Sequence, residues 1–535
     1  MHSSTKSNLL VASCYAGILA LGMAVGPKFG DSSTSSTRGG STYFTFGKAE
    51  KVERVLEIIK DNYVDSVKVD TLQNLAINQI LSHLDPHSSY LPPIKARDLS
   101  QDLEGNYNGI GIEYFLLNDT MLVSAVNEKG PAAKAGIKAG DRILQIDSKI
   151  VAGNKTSSEK IVSLIKGRRN SSVKLLVRRA GTNTESIVEI NRDKIVVSSI
   201  DAAYMVTSNT GYIKLSKFGA KTDDDFSEAI TKLKKNGLKS LILDLRHNGG
   251  GYLNAATALA DEFLPEKKLI VYTQGRHEPR TDYFATNDGQ FEQGKIAILI
   301  DENTASASEI VAGALQDLDR AVVIGRRSFG KGLVQEQFNF GDGSALNLTI
   351  ARYYTPLGRS IQRPYKMGAE EYFDEPSKRS KADEEELKNA KDSLPQKSQS
   401  YKTTSGKVLY GGGGIMPDIY MPRDTIHNTA FYYALKARGL LTEYLFNHAL
   451  PSKTPISVTE IINSYDISDE TYQKLLSFAS QKGLKAKANE SALSRTAINN
   501  EYQAFLARYY FGAEAFYKVI NSTDKVIARS LLELK

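Results

Sequence analysis

A serine, a lysine and a glutamine pose the chemical question. Residues 295–336 read as an apolar run, a small-residue segment Thr304-Ala305-Ser306-Ala307-Ser308-Glu309, an Ala-rich helix, a second apolar run, and Phe329-Gly330-Lys331-Gly332. In strand, helix, strand, loop order, Ser306 falls at the start of a helix and Lys331 on a loop beyond the next strand, where the two can meet on one edge of a sheet. A serine hydroxyl is a weak nucleophile until a base takes its proton, and lysine becomes that base once burial lowers its pKa from about 10.4. Phe329 and Leu333 supply apolar surface for such burial. Gln335, four residues on, orients the amine without adding charge, provided that the backbone curls. Small residues around Ser306 let a substrate carbonyl approach a helix N-terminus, whose N–H groups suit an oxyanion.

Other chemistries compete for these residues. Ser306-x-x-Glu309 is also a capping box, the ordinary reading of a lone serine there. Gly325-Arg326-Arg327-Ser328-Phe329-Gly330-Lys331-Gly332 nearly spells a P-loop. However, Gly332 stands where Ser or Thr must hold magnesium, and Val334, Glu336 and Phe338 alternate like a strand. A Ser-His-Asp site has His247 as its best candidate, but no G-x-S-x-G elbow occurs. Zinc hydrolysis lacks both H-E-x-x-H and thiols, since Cys14 is the single cysteine. No metal and no cofactor are expected.

The elements that must position the site follow in order. Residues 9–25 are apolar, with Lys6 ahead and Gly26-Pro27-Lys28 behind, which reads as an export signal or an uncleaved membrane anchor. Val11-Ala12-Ser13-Cys14 has the look of a lipoprotein box, although the apolar run continues past the cysteine. Residues 31–47 are a Ser/Thr/Gly-rich tether. Residues 48–99 form a helical module, with Val52, Val55, Leu56, Ile59 and Tyr63 at helical spacing. It stops at Leu84-Asp85-Pro86-His87-Ser88, where His87 reads as a structural turn residue. Residues 100–193 are β-rich; within them Gly109-Ile110-Gly111-Ile112 is a glycine-spaced turn whose N–H groups suit a terminal carboxylate. From 194 to 424 strands and helices alternate as a mixed α/β core, with a polar insertion at 364–407. Its glycine loop, Asn248-Gly249-Gly250-Gly251, lies between a strand and a helix, which is either a tight turn or an anion pocket. Residues 425–535 are a helical extension with no chemistry assigned. A net charge of +7, without a dense Lys/Arg run, gives no argument for nucleic acid.

Several of these motifs occur together in one known order. Leu84-Asp85-Pro86-His87-Ser88 comes first, and Gly130-Pro131-Ala132-Ala133 with Gly140-Asp141-Arg142-Ile143 closely resembles a PDZ domain. Leu243-Asp244-Leu245-Arg246-x-Asn248-x-Gly250-Gly251, Ser306-Ala307-Ser308-Glu309, Phe329-Gly330-Lys331-Gly332-x-Val334-Gln335 and Pro417-Asp418 follow. Over residues 48–422 the chain resembles the C-terminal processing (tail-specific) serine peptidases. That resemblance implies a crotonase-like peptidase core preceded by a PDZ domain. It makes Ser306 the nucleophile, with Thr304 in the first place of a Ser-Ala-Ser-Ala-Ser segment; Lys331, 25 positions later, is the base, and Gln335 its partner. It assigns the oxyanion donors to the backbone of Ala307, Gly249 and Gly250, and the capture of a peptide C-terminus to Gly109, Ile110, Gly111 and Ile112. The expected partners are proteins with unstructured C-terminal tails, and a membrane through the N-terminal segment. The expected location is the bacterial cell envelope, periplasmic or anchored at the inner membrane. The resemblance leaves room for an oligomer or a regulatory partner. The contrasting function is an inactive PDZ scaffold, against which intact Ser306, Lys331 and Gln335 argue.

Overall fold

The runs Leu241-Ile242-Leu243 and Ile296-Ala297-Ile298-Leu299-Ile300 have no polar side, so strands built from them must be covered on both faces. In this computed structural model they lie in Ser240–Asp244 and Lys295–Ile300, the central strands of a six-stranded sheet. Its order is Ile200–Met205, Thr210–Leu215, Ser240–Asp244, Lys295–Ile300, Val322–Gly325 and Ile419–Tyr420. The first pair is antiparallel and the others are parallel. The structure describes residues 36–38, 41–43 and 51–535, apart from 118, 180, 181, 183, 287, 288, 380–398, 452 and 488.

Helices Thr222–Lys235, Leu253–Asp261 and Ala307–Asp317 cover one face, where Phe226, Leu259 and Val311 pack with Ile213, Leu243 and Ile298. The other face carries Tyr212, Ile242, Leu299 and Ile324. Its cover comes from the far end of the chain: Val526 and Ile527 of helix Lys525–Glu533, then Leu534. The helical class expected after residue 424 is present as seven helices among the described residues between Ala430 and Glu533, with their own core around Leu435, Leu475, Ile498 and Leu506.

A second, antiparallel sheet runs Thr281–Phe284, Leu269–Gln274, Ala345–Tyr354 and Leu333–Asn339. Strand Ser89–Leu91 adds to it through Ala345–Tyr354, pairing Ser89 with Asn347. The chain divides into two compact units, Met1–His83 and Leu84–Lys535. The Leu84–Ser88 turn therefore belongs to the unit that holds Ser306, not to the helices before it. In the first unit, helices Lys51–Asn62 and Val69–Ser82 form at the expected spacing, but Val52 and Val55 stay exposed.

The β-rich block is a five-strand path, Glu185–Asn191, Ser172–Arg178, Arg142–Ile146, Thr120–Val126 and Ile112–Leu117, all antiparallel. Helix Ser158–Ile165 packs on it through Ile161 and Ile165. Strand Ile112–Leu117 is an edge. The extension touches this block too: Phe446 meets Phe115 at 6.2 Å between ring centroids, and Arg508 pairs with Glu113.

The polar stretch 364–407 is not loop throughout. Ala369–Lys378 is a helix that buries Tyr372, and Glu375 receives Arg327, Arg363 and Arg379. Those ion pairs give a charge-rich sequence a fixed place that its composition does not suggest. Glu384 to Glu386 and the apolar segment 9–25 lie outside the described residues. Among the described residues, no helix is long and apolar enough to cross a membrane.

Candidate active site

Strand Lys295–Ile300 ends in a turn held by its own side chains. The Asp301 N–H donates to Thr304 Oγ1 at 2.9 Å, and Thr304 Oγ1 donates to the Leu245 carbonyl at 2.9 Å. Thr304 thus ties the serine turn to the glycine loop. Ser306 follows at φ 55° and ψ −116°, a conformation that costs a non-glycine residue about 1–3 kcal/mol and occurs mostly at functional sites. Helix Ala307–Asp317 begins at the next residue and is buried along its whole length.

The two serines of this turn have different fates. Ser308 is fully buried and its hydroxyl donates to the Asn248 carbonyl at 3.0 Å. Ser306 is part-exposed. Both halves of its capping box are in place, and in one of them Glu309 Oε2 accepts from the Ser306 N–H at 2.9 Å. The Glu309 N–H has its own acceptor in the Ser306 carbonyl at 2.8 Å, which competes with the serine hydroxyl for that donor.

Glu309 does more than cap. It is fully buried and also accepts from the N–H groups of Gly330 (2.7 Å) and Lys331 (2.8 Å) and from the Ser328 hydroxyl. Tyr353, 1% exposed, places its hydroxyl against the carbonyls of both Ser306 (3.1 Å) and Lys331. The backbones of Ser306 and Lys331 are therefore held from both sides by the same two residues. No hydrogen bond joins the Ser306 hydroxyl to the Lys331 amine in this structure. Burial holds the Lys331 pKa below the ordinary lysine value, with Glu309 and Asp85 pulling it back up. Burial likewise pushes the Glu309 carboxyl up to about 7 against its hydrogen bonds.

The glycine loop lies beside Ser306. A Cβ on Gly250, whose φ is +100°, would sit 2.8 Å from the Ala305 carbonyl and from Ser306 Cβ, and 2.9 Å from Ala307 N. Among the described residues, the N–H groups of Ala307 and Gly249 meet no acceptor. The expectation for Gly250 needs correcting as to its N–H, which donates to Asn248 Oδ1 at 2.9 Å and is already engaged. His247 is exposed, with Nδ1 3.1 Å from Asp301 Oδ2.

Gln335 bonds not to Lys331 but to Thr349 Oγ1, at 3.1 Å. A register shift between Val334 and Gln335 puts it opposite Thr349. Sequence reasoning missed Tyr353, Thr349, Asp85 and the surroundings of His87. His87 Nε2 lies 3.0 Å from the Tyr372 hydroxyl and its ring packs against Phe329. Burial first, then Lys331, lowers its pKa to about 4. The one sequence signal for Asp85 and His87 was the Leu84–Ser88 motif itself.

At the peptide loop, the Ile110 carbonyl accepts from Ala132 and that of Gly111 from Asn127, both at 2.9 Å. Gly111 takes a φ of +77°. With their carbonyls turned inward, the N–H groups of Ile110 and Gly111 meet no acceptor among the described residues. The edge of Ile112–Leu117 continues from them.

Peptidase family S41 matches residues 209–368, a PDZ domain matches 122–179, and a family of unknown function matches 431–512. A carboxy-terminal-processing protease of Bartonella bacilliformis is 39% identical over 323 residues, covering 59% of this chain and 73% of that protein. The chain belongs to the carboxy-terminal-processing proteases of peptidase family S41. A CtpA-like serine protease of Staphylococcus aureus is 34% identical over 315 residues, covering 58% of this chain and 62% of that one. Among solved structures, a photosystem II D1 C-terminal processing protease is 28% identical, covering 59% of this chain and 91% of that one, with a TM-score of 0.34. This S41 protein is a serine peptidase with a PDZ domain, and its substrates are proteins with C-terminal tails.

Proposed function

We propose that Ser306 attacks the substrate carbonyl while Lys331 takes its proton, and that Lys331 then protonates the leaving amine before water hydrolyses the acyl-enzyme. Gln335 orients the lysine. The N–H groups of Ala307 and Gly249 receive the oxyanion, and Gly250 serves by lacking a side chain where the two loops touch. Residues 109–112 hold the terminal carboxylate of a tail that adds as a strand along Ile112–Leu117. The observation that carries this reading is the joint clamping of Ser306 and Lys331 by Glu309 and Tyr353, while Ser308 spends its hydroxyl on Asn248. The same reading takes 48–99, 100–193, 194–424 and 425–535 as helical module, PDZ domain, peptidase core and extension. It sends the protein to the bacterial envelope by way of residues 9–25.

The test is hydrolysis of an unfolded, tailed protein. Ser306→Ala and Lys331→Ala abolish it, whereas Ser308→Ala retains it within about tenfold, having lost one buried hydrogen bond of ~1 kcal/mol. Near-normal rates in either of the first two variants would sink the mechanism.

A further inference from the structure

The Leu84–Ser88 turn reaches the lysine's surroundings by a route that starts at a carboxylate. Asp85 Oδ1 accepts from the N–H groups of His87 (2.8 Å) and Ser88 (2.9 Å) and from the Thr349 hydroxyl (3.1 Å), while Oδ2 accepts from the Ser88 hydroxyl at 2.6 Å. The Ser88 hydroxyl in turn accepts from the Thr349 N–H at 3.1 Å. Asp85 is buried, and it is nearest in chain to helices that belong to the other compact unit.

This network has a direction. Oδ1 already accepts two backbone N–H groups and has no proton to offer, so the Thr349 hydroxyl must give its proton to Asp85. That leaves the Thr349 oxygen able only to accept, and its partner at 3.1 Å is the Gln335 side-chain amide. Gln335 must then spend its NH2 on Thr349. The two faces of a carboxamide look alike in shape but not in chemistry, and here the partners decide which is which.

The direction matters to a neutral lysine. An amine that acts as base has one lone pair, for the serine proton, and two N–H groups that need acceptors. An amide carbonyl beside it takes an N–H and leaves the lone pair open. An amide NH2 beside it donates into the lone pair and blocks the base. We infer that Asp85 and Thr349 are positioning residues of the peptidase: their one-way hydrogen-bond chain holds Gln335 with its NH2 on Thr349, so that only the carbonyl is left for Lys331. This rests on the assignment of Lys331 and Gln335 made above.

The experiment combines variants of the full-length protein in the tailed-substrate assay. Thr349→Val keeps the shape and removes the hydroxyl. It is expected to lower kcat by about tenfold to a hundredfold with KM unchanged and Tm lowered by a few degrees at most, and Thr349→Ser to restore kcat to within about threefold. Asp85→Asn, which no longer dictates the direction, is expected to lower kcat in the same range. In a Gln335→Ala background Thr349→Val is expected to cost less than about twofold, because no amide remains to be turned. A full loss from Thr349→Val in that background overturns the inference, as does a Thr349→Val enzyme equal to wild type. If Gln335→Ala falls below detection, the Ser and Val variants decide: equal rates in the two overturn it. Lys331→Ala, run alongside, separates the two claims. Activity in Lys331→Ala sinks the base assignment itself, whereas an inactive Lys331→Ala with a normal Thr349→Val sinks only the chain through Asp85.

Discussion

Replacing Glu309 by glutamine exchanges one oxygen for one NH2 and changes almost nothing in volume, yet every partner of this carboxylate is a donor. Oε2 takes the N–H groups of Ser306 and Lys331; Oε1 takes the Gly330 N–H and the Ser328 hydroxyl. Ser328 has a second lone pair beside the one that accepts from the Ile415 N–H at 2.6 Å, so it can accept from the new NH2, but its own proton then loses the acceptor it had in Oε1. Whichever way the new amide turns, two donors lose their acceptor. A buried donor left unpaired costs about 1–3 kcal/mol, so the arrangement that joins the two loops loses about 2–6 kcal/mol. Felt in full as a displaced equilibrium, that lowers kcat by about 30-fold to 10⁴-fold. The assay is turnover of an unfolded tailed protein. Binding of a free tail peptide is the control, since the peptide loop lies on a different sheet and is expected to keep its affinity. A Glu309→Gln enzyme with kcat within about threefold of wild type and an unchanged Tm would refute the reasoning.

Gly250→Ala drives a Cβ to 2.8 Å from Ser306 Cβ at a φ of +100°, and is expected to lower kcat by at least about tenfold while peptide binding is unaffected. Lys331→Arg keeps a charge that arginine does not lose, so activity on the rising acid limb of the pH profile, where wild type gains neutral amine, is expected to vanish at every pH from about 6 to 10. Glu309 has a folded value of about 7 against 4.5 for the free side chain. The stability it lends is thus complete below the lower value and is lost as pH rises through the upper one, whereas glutamine does not titrate. The Tm difference between wild type and Glu309→Gln is expected to narrow over that window, and a constant difference would contradict it.

How far the sequence carried the site depended on how locally each contact is made. Ser306 before a helix, Lys331 before a strand and the rejection of a P-loop were all legible, because Leu333–Asn339 alternates in sequence as a strand should. Glu309 was legible only as half of a capping box; its other donors come from a loop about 20 residues away, and periodicity says nothing about those. Asp85 and Thr349 meet across 264 positions, and strand Ser89–Leu91, which brings them together, is three residues long. The extension was legible as helices. Its role as the second cover had a signal in the two-sided apolar runs at 241–243 and 296–300, which demand more cover than the helices between residues 222 and 317 provide.

The extension also reaches into the turn that precedes the glycines. Asp524, which caps helix Lys525–Glu533, binds Arg246 at 2.6 Å, and Arg246 binds Asp244 at the end of the central strand. Burial alone would raise the Asp244 pKa, but Arg246 and Lys214 hold it below the usual carboxylate range. With Phe446 and Arg508 resting on the PDZ sheet at the other end, residues 430–535 cannot be inherited or discarded as a bead on a string. A chain that lost them would bare the second face of its peptidase sheet, leave Arg246 with one carboxylate instead of two, and free its PDZ domain from a neighbour, all in a single genetic step.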